Sequence, residues 1–265
     1  FPLYGPDVGL WGGEPKFYQC LFENEFVPTI DHLESLIDEN TVAILYNFPS
    51  NPTGATITTE QRDELLAFAQ RHDLWIITDE VYDRIVFDNE HVSFVGCDDE
   101  RVILINSFSK TYAMTGWRIG YILSANKEAM SQMIKVQYYI TACSNDAMQY
   151  AVLTAINEAD GYPDEMCAEF KARRDIICTR LNAMEGVECH VPEGAFYVFP
   201  KVDVPGMNSQ EVAMELLKGG VLCSPGSAFG PSGEGHLRFA YTISRDDISL
   251  GMDKTEQVLK RLRGE

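Results

Sequence analysis

The feature that most constrains the fold is a series of short apolar runs, the first two separated by one segment of helical length. Leu65 and Phe68 lie on one face of that segment, residues 58–71, and Thr58 with Gln61 forms a capping box at its start. A strand, a helix and a second strand in succession indicate a parallel sheet. The runs, rich in β-branched residues and bounded by polar or turn residues, predict buried strands at residues 42–46, 74–77, 102–105 and 119–123.

The second half of the chain follows a different pattern, in which helices surround short alternating segments. Alternation at residues 194–199 and 236–241 predicts strands of a small α+β domain. We therefore expect an α/β protein with a mostly parallel central sheet and flanking helices over residues 1–163. A small C-terminal α+β domain is expected over residues 164–265. Periodic apolar positions predict helices at residues 127–139, 146–158, 163–184, 209–218 and 246–263.

Composition excludes several classes of protein. The formal charge is −19, from 21 basic and 40 acidic residues, and both nucleic acids and anionic membranes require clustered Lys and Arg. Seven cysteines, widely spaced and without a C-x-x-C pair, argue against a disulfide framework or a metal site, and they favour a reducing cytoplasm. No apolar window is long enough to span a membrane. We expect small-molecule partners, with no nucleic acid, membrane or metal.

Polar side chains follow the predicted strands, where open α/β sheets bind their ligands. Asn51 lies in a loop after the first strand, Asp79 follows the second, and Lys110 follows the third. Lys110 has serines at 107 and 109 before it and Arg118 eight residues after it. A lysine in such surroundings can hold a phosphorylated aldehyde through a Schiff base and phosphate contacts together, which suggests pyridoxal phosphate.

Several of these residues also have a purely structural interpretation. Asp79 beside an apolar run needs a cation or several donors, and a protonated pyridine nitrogen would be such a cation. Taken alone, this aspartate would more often be a helix cap or a structural acceptor. Tyr82 and Asn51 suit a phenolic oxygen, although a tyrosine is usually a core residue and an asparagine before proline usually makes a turn. Arg118 has a surface ion pair as its alternative. Arg238, in an otherwise apolar strand, needs an anion, and a substrate carboxylate would serve.

Together these residues give the chain a family resemblance. It resembles the fold-type I, pyridoxal-phosphate-dependent aminotransferases of class I/II, of the aspartate and aromatic type. The motifs occur in family order over nearly the whole chain: NPTG at 51–54, D-E-x-Y at 79–82, SFSKTYAMTGWRIGY at 107–121, PEGAFYVFP at 192–200, SPGSAFG at 224–230 and HLRFAYTIS at 236–244.

The resemblance implies a role for the residues around the cofactor ring. Lys110 would form the aldimine with pyridoxal 5'-phosphate and then act as general base at the substrate α-carbon. Asp79 would pair with the pyridine nitrogen. Asn51 and Tyr82 would bond to the phenolic oxygen. The resemblance thus makes Lys110, Asp79 and Tyr82 catalytic residues.

It also implies how phosphate and substrate are held. Ser107, Ser109 and Arg118 would bind the cofactor's phosphate. Arg238, together with Asn51, would bind the substrate, with Arg238 on its α-carboxylate. The reaction would move an amino group from an L-amino acid, aspartate or aromatic, to a 2-oxo acid such as 2-oxoglutarate. A homodimer is implied as well.

Two alternatives follow from the same residues. A carbon–sulfur β-lyase or another synthase of this fold would keep the cofactor core, because that core does not determine which bond breaks. A non-catalytic fragment or a cofactor-binding effector domain is the other alternative. Family members also carry a segment before the position of Phe1 that supplies a phosphate loop and a ring-stacking aromatic residue, so we expect the sequence to be N-terminally incomplete.

Overall fold

The computed structural model describes residues 1–97 and 99–264, which form two compact units. The first unit comprises Phe1–Leu36, Ser50–Ala55 and Ala168–Glu265. The second unit comprises Ile37–Pro49 and Thr56–Cys167. The domain boundary expected from the sequence, between residues 163 and 164, stays a prediction.

Helices and strands alternate along the second unit and surround short strands in the first. The helices are α1 Tyr4–Leu10, α2 Ile30–Glu34, α3 Thr59–Arg71, α4 Phe108–Thr111, α5 Lys127–Thr141, α6 Asp146–Glu158, α7 Tyr162–Asn182, α8 Ser209–Lys218 and α9 Arg245–Arg263. The strands are β1 Ala43–Asn47, β2 Trp75–Asp79, β3 Val102–Ser107, β4 Gly120–Leu123, β5 Val187–Glu188, β6 Tyr197–Val198, β7 Lys201–Val202, β8 Ser224–Pro225 and β9 Leu237–Ala240.

A four-stranded sheet in the order β1-β2-β3-β4 organises the second unit. The first three strands are parallel, with Asn47 opposite Asp79 and Asp79 opposite Ile105. β4 runs antiparallel to β3 and places Gly120 opposite Ser107. The predicted, mostly parallel sheet is therefore confirmed, and the carboxyl ends of β1, β2 and β3 lie at one edge.

Apolar burial stabilises this sheet against α3. Thr58 caps α3 and makes the predicted capping box with Gln61, which satisfies N–H groups that the first helical turn leaves without partners. Leu65 and Phe68 of α3 are almost fully buried. Burial of each such side chain contributes about 1.5–3 kcal/mol. The ring of Tyr46 in β1 stacks on the ring of Phe94 with 5.4 Å between the centroids, and both side chains are buried.

The first unit contains two small antiparallel groups of strands. β5 pairs with β7, and β9 lies between β6 and β8. Leu181 of α7, Leu216 of α8 and Leu259 of α9 are almost fully buried in its core. The buried Tyr241 hydroxyl donates a hydrogen bond to the carbonyl oxygen of Ala195 at 3.1 Å. These features agree with the small α+β domain expected from the second half of the sequence.

Most predicted elements are present, with ends shifted by one or two residues. The helix expected at 163–184 is α7, and the strand expected at 194–199 shrinks to the two residues of β6. The sequence analysis did not predict the short helices α1, α2 and α4 or the two-residue strands β5, β7 and β8. Within residues 1–97 and 99–264, no helix combines the length and the apolar character needed to cross a membrane.

Candidate active site

The carboxyl end of β2 carries two of the predicted site residues. Asp79 is the last residue of the strand and is half-buried. One of its carboxylate oxygens accepts a hydrogen bond from the Val81 N–H at 3.2 Å, and the Asn47 side chain donates to its carbonyl oxygen at 3.0 Å. Tyr82 is buried, with 3% of its surface exposed. Asp79 is therefore a structural acceptor in the turn after β2. These hydrogen bonds hold the residue at the carboxyl end of the strand.

Lys110 lies at the same edge of the sheet, in the short helix α4 that directly follows β3. Ser107, the last residue of β3, is the N-cap residue of this helix, and its hydroxyl oxygen accepts a hydrogen bond from the Ser109 N–H at 3.3 Å. The Lys110 ammonium nitrogen lies 5.9 Å from the centroid of the Tyr82 ring. Because β2 and β3 are adjacent parallel strands, the residues that follow them are neighbours in space.

The surroundings of Lys110 lower the pKa of its ammonium group. Burial lowers the pKa of the Lys110 ammonium, and the positive charge of Arg118 lowers it further. The negative charge of Asp79 raises this pKa and opposes both effects, but the net shift is downward. A lysine with a lowered pKa supplies the unprotonated amine that attacks an aldehyde or takes up a proton.

The hydroxyl-rich segment around Lys110 holds the other predicted phosphate ligands. Ser109 is buried, and its carbonyl oxygen accepts a hydrogen bond from the Thr115 hydroxyl at 3.1 Å. Arg118 is exposed, has a φ of 55°, and donates to the carbonyl oxygen of Thr115 at 2.9 Å. Thr115 thus connects Ser109 with Arg118, and Ser107 lies at the end of β3 directly before α4. Their contact with a phosphate stays a prediction.

The two glycines beside Arg118 have different roles. A Cβ on Gly120 would lie 2.6 Å from the Asn106 carbonyl oxygen, so this glycine permits close packing of β4 on β3. A Cβ on Gly116 would meet no atom within 4 Å. Close strand packing thus accounts for Gly120, whereas Gly116 has open space beside it.

Arg238 and Asn51 meet in the first unit. One terminal nitrogen of Arg238 donates to the Asn51 side-chain oxygen at 3.0 Å, and the other donates to the Ser224 hydroxyl at 3.1 Å. The guanidinium carbon lies 4.6 Å from the Tyr197 ring centroid and 5.0 Å from that of Phe229. All these partners are neutral, so the described part of the chain leaves the positive charge without a counter-ion.

A further observation points to an anion at this arginine. Its Nε atom is buried and has no hydrogen-bond partner among the described residues. Because a buried N–H without a partner is costly, a ligand oxygen is the natural acceptor. Sequence reasoning found Arg238 and Asn51 but missed Ser224, Tyr197 and Phe229 as their surroundings. Only their membership in the SPGSAFG and PEGAFYVFP motifs signalled them.

The structure places the predicted residues in two groups. Within the second unit lie Asp79, Tyr82, Ser107, Ser109, Lys110 and Arg118; within the first lie Asn51 and Arg238. The donor set fits pyridoxal phosphate. An amine with a lowered pKa suits its aldehyde, a carboxylate suits its ring nitrogen, and hydroxyls with an arginine suit its phosphate.

Comparison with known proteins agrees with this chemistry. The family model described as "Aminotransferase class I and II" matches residues 1–254. The chain therefore belongs to the class I and II aminotransferases, the enzyme family whose members use pyridoxal 5'-phosphate. The resemblance seen in the motifs is confirmed.

Individual relatives carry the same family name. The chain is 39% identical to aromatic-amino-acid aminotransferase 2 of Thermococcus litoralis and 38% identical to an aspartate aminotransferase of Pyrococcus abyssi. Each comparison covers 98% of this chain and 68% of the relative. The solved aromatic aminotransferase of Pyrococcus horikoshii OT3 superposes with a TM-score of 0.94 at 37% identity, over 98% of this chain and 71% of that one. The predicted α/β fold is thus confirmed.

Proposed function

We propose that this protein transfers the amino group of an L-amino acid to a 2-oxo acid, with 2-oxoglutarate as the acceptor. The observation that carries the proposal is Lys110, an amine with a lowered pKa that shares its sheet edge with Asp79. Relatives named aspartate and aromatic aminotransferases support aspartate or an aromatic amino acid as the donor. The uncompensated Arg238 supports a substrate that carries a carboxylate.

Each residue has a defined task in this proposal. Pyridoxal phosphate, when bound, supplies an aldehyde and a protonated ring that accepts electrons from the substrate α-carbon. Lys110 would hold that aldehyde and, once free, would remove the substrate α-proton as general base, a task that its lowered pKa favours. Asp79 would keep the proton on the ring nitrogen, and Tyr82 and Asn51 would each bind the phenolic oxygen.

Binding of phosphate and carboxylate completes the assignment. Ser107 and Ser109 donate hydroxyl hydrogen bonds to the phosphate, and Arg118 supplies the positive charge. Arg238 binds the substrate's α-carboxylate with the N–H groups that Asn51 and Ser224 leave available. A bidentate contact of this kind would hold the carboxylate in a defined orientation at Arg238.

The first experiment asks whether Lys110 retains the cofactor. The purified chain is incubated with pyridoxal phosphate, passed through gel filtration, and examined by visible absorption beside Lys110→Ala. Lys127→Ala, which changes an exposed lysine at the start of α5, is the matched control. We expect a retained band in wild type and in Lys127→Ala, absent from Lys110→Ala. A band of equal size in Lys110→Ala would refute the assignment.

Product analysis separates transamination from the lyase alternative. Titration with aspartate, phenylalanine and tyrosine should bleach the band, and 2-oxoglutarate should restore it while glutamate forms. Release of a thiol and ammonia from an amino acid with a sulfur substituent on its β-carbon, without need of a 2-oxo acid, would instead support a lyase. A band that no amino acid changes would support a cofactor-binding domain without catalysis.

We also propose a homodimer in the cytoplasm. On α5 and α6, large apolar side chains are exposed, including Tyr138 at 65%, Tyr139 at 85% and Tyr150 at 67%. Several large exposed apolar side chains on two successive helices suggest a protein interface. All seven cysteines are free thiols, which suits a reducing compartment. Sedimentation equilibrium would give the oligomeric state.

A further inference from the structure

The carboxylate of Asp83, which has no role in the proposed reaction, connects the segments that follow β2 and β3 in the second unit. Asp83 follows Tyr82 directly, and its backbone N–H donates to the Glu80 carbonyl oxygen at 3.0 Å. One oxygen of its carboxylate accepts a hydrogen bond from the Asn106 side chain at 2.9 Å. The other accepts from the Thr111 hydroxyl at 3.3 Å.

These two donors lie on either side of Lys110. Asn106 is buried, with 4% of its surface exposed, and it is the penultimate residue of β3. Its side-chain oxygen accepts from the Ser107 N–H at 2.6 Å. Thr111 is the last residue of α4 and directly follows Lys110. The Asp83 carboxylate therefore holds the chain before and after the lysine.

We propose that Asp83 is a positioning residue for Lys110. Its hydrogen bonds join the turn after β2, which contains Asp79 and Tyr82, to helix α4, which contains Lys110. α4 has only four residues, and a helix of that length has little stability of its own in water. Hydrogen bonds to an ionised acceptor are about twice as strong as neutral ones, so this clamp is well suited to order α4. The inference rests on the proposed role of Lys110.

Orientation of a reacting group is worth a large factor in rate. A displacement of about 1 Å costs roughly a hundredfold. Loss of a hydrogen bond to a charged group costs about 1.5–3 kcal/mol, equal to roughly 10- to 150-fold. We expect Asp83→Ala to slow the reaction of Lys110 with pyridoxal phosphate by about 10- to 100-fold. Because Asp83 does not contact the substrate in this assignment, kcat should fall while KM changes less than about threefold.

The test measures covalent trapping of Lys110. Wild type and variants react with pyridoxal phosphate and cyanoborohydride, which makes the bond to the lysine permanent, and peptide mass spectrometry reports the rate at residue 110. Thr111→Val removes only the hydroxyl from a β-branched side chain, and Thr111→Ser restores it. We expect slow trapping in Asp83→Ala and Thr111→Val and near wild-type trapping in Thr111→Ser. The double variant Asp83→Ala/Thr111→Val should be less than twofold slower than Asp83→Ala.

A stability control separates positioning from loss of fold. The buried carboxylate of Asp99 accepts from the Arg101 N–H at 2.8 Å and from Gln70 at 3.1 Å. Asp99→Ala therefore removes a comparable pair of contacts elsewhere in the same unit, and trapping should keep its wild-type rate. Equal trapping rates in wild type, Asp83→Ala and Thr111→Val would overturn the inference. If wild type is not trapped at Lys110 at all, the proposed function fails instead.

Discussion

Arg238 provides the sharpest test of how this chain recognises a substrate. A guanidinium group has five N–H donors, of which one is used by Asn51 and one by Ser224, so three remain for a ligand. A carboxylate uses two donors when it binds in a bidentate manner. The two neighbouring aromatic rings reduce access of water to the cation and strengthen its attraction for an anion.

The magnitude follows from the loss of one partner of a hydrogen-bonded charge pair. Such a loss costs about 2–5 kcal/mol, equal to roughly 30- to 4,000-fold in a dissociation constant. Because Arg238 is half-buried, we expect the lower part of this range, about 30- to 150-fold, for Arg238→Ala. Arg238→Lys keeps the charge but lacks the planar fork, so it should recover only part of the affinity.

The assay compares two ligands as well as two proteins. Phenylalanine and phenylethylamine differ only in the carboxylate, and spectral titration of each gives its affinity for wild type and for Arg238→Ala. Wild type should prefer the amino acid, and Arg238→Ala should lose that preference. Arg180→Ala removes a surface arginine that is paired with Asp253, and it should leave the preference unchanged. An undiminished preference in Arg238→Ala would refute the reasoning.

Two further predictions concern stability. Gly120→Ala places its Cβ 2.6 Å from the Asn106 carbonyl oxygen and should lower the free energy of unfolding by about 1–3 kcal/mol. Gly116→Ala, whose Cβ meets no atom within 4 Å, should leave it nearly unchanged. Equal unfolding temperatures for the two variants would contradict this prediction. Burial raises the pKa of the Glu80 carboxyl, whereas its hydrogen bonds, including one with His91, lower it. The hydrogen bonds have the larger effect, so the pKa of Glu80 in the folded protein lies below its ordinary value. Its contribution to stability is therefore present above the ordinary pKa and lost as the pH falls through the lowered one. Denaturant titrations between pH 6 and about 3 should accordingly show a smaller loss of stability for Glu80→Gln than for wild type.

Local patterns accounted for much of the fold. The capping box of Thr58 and Gln61 and the apolar face with Phe68 depend on residues only three or four positions apart, so they were predictable. The antiparallel direction of β4 was not, because the apolar run at 119–123 is the same in either direction. The unpredicted helices α1, α2 and α4 are short, with little periodicity to detect.

The sequence by itself determined which chemistry this protein carries: Lys110 after a buried strand, Asp79 after its neighbour, and Arg238 in an apolar segment. Residue type and strand order suffice for that, because parallel strands place their carboxyl ends at one edge. Only the tertiary structure decided what surrounds each group. The contact of Arg238 with Asn51 spans 187 positions, and the contact of Asp83 with Thr111 spans 28. Packing creates such contacts between distant segments, and no local periodicity in the chain records them.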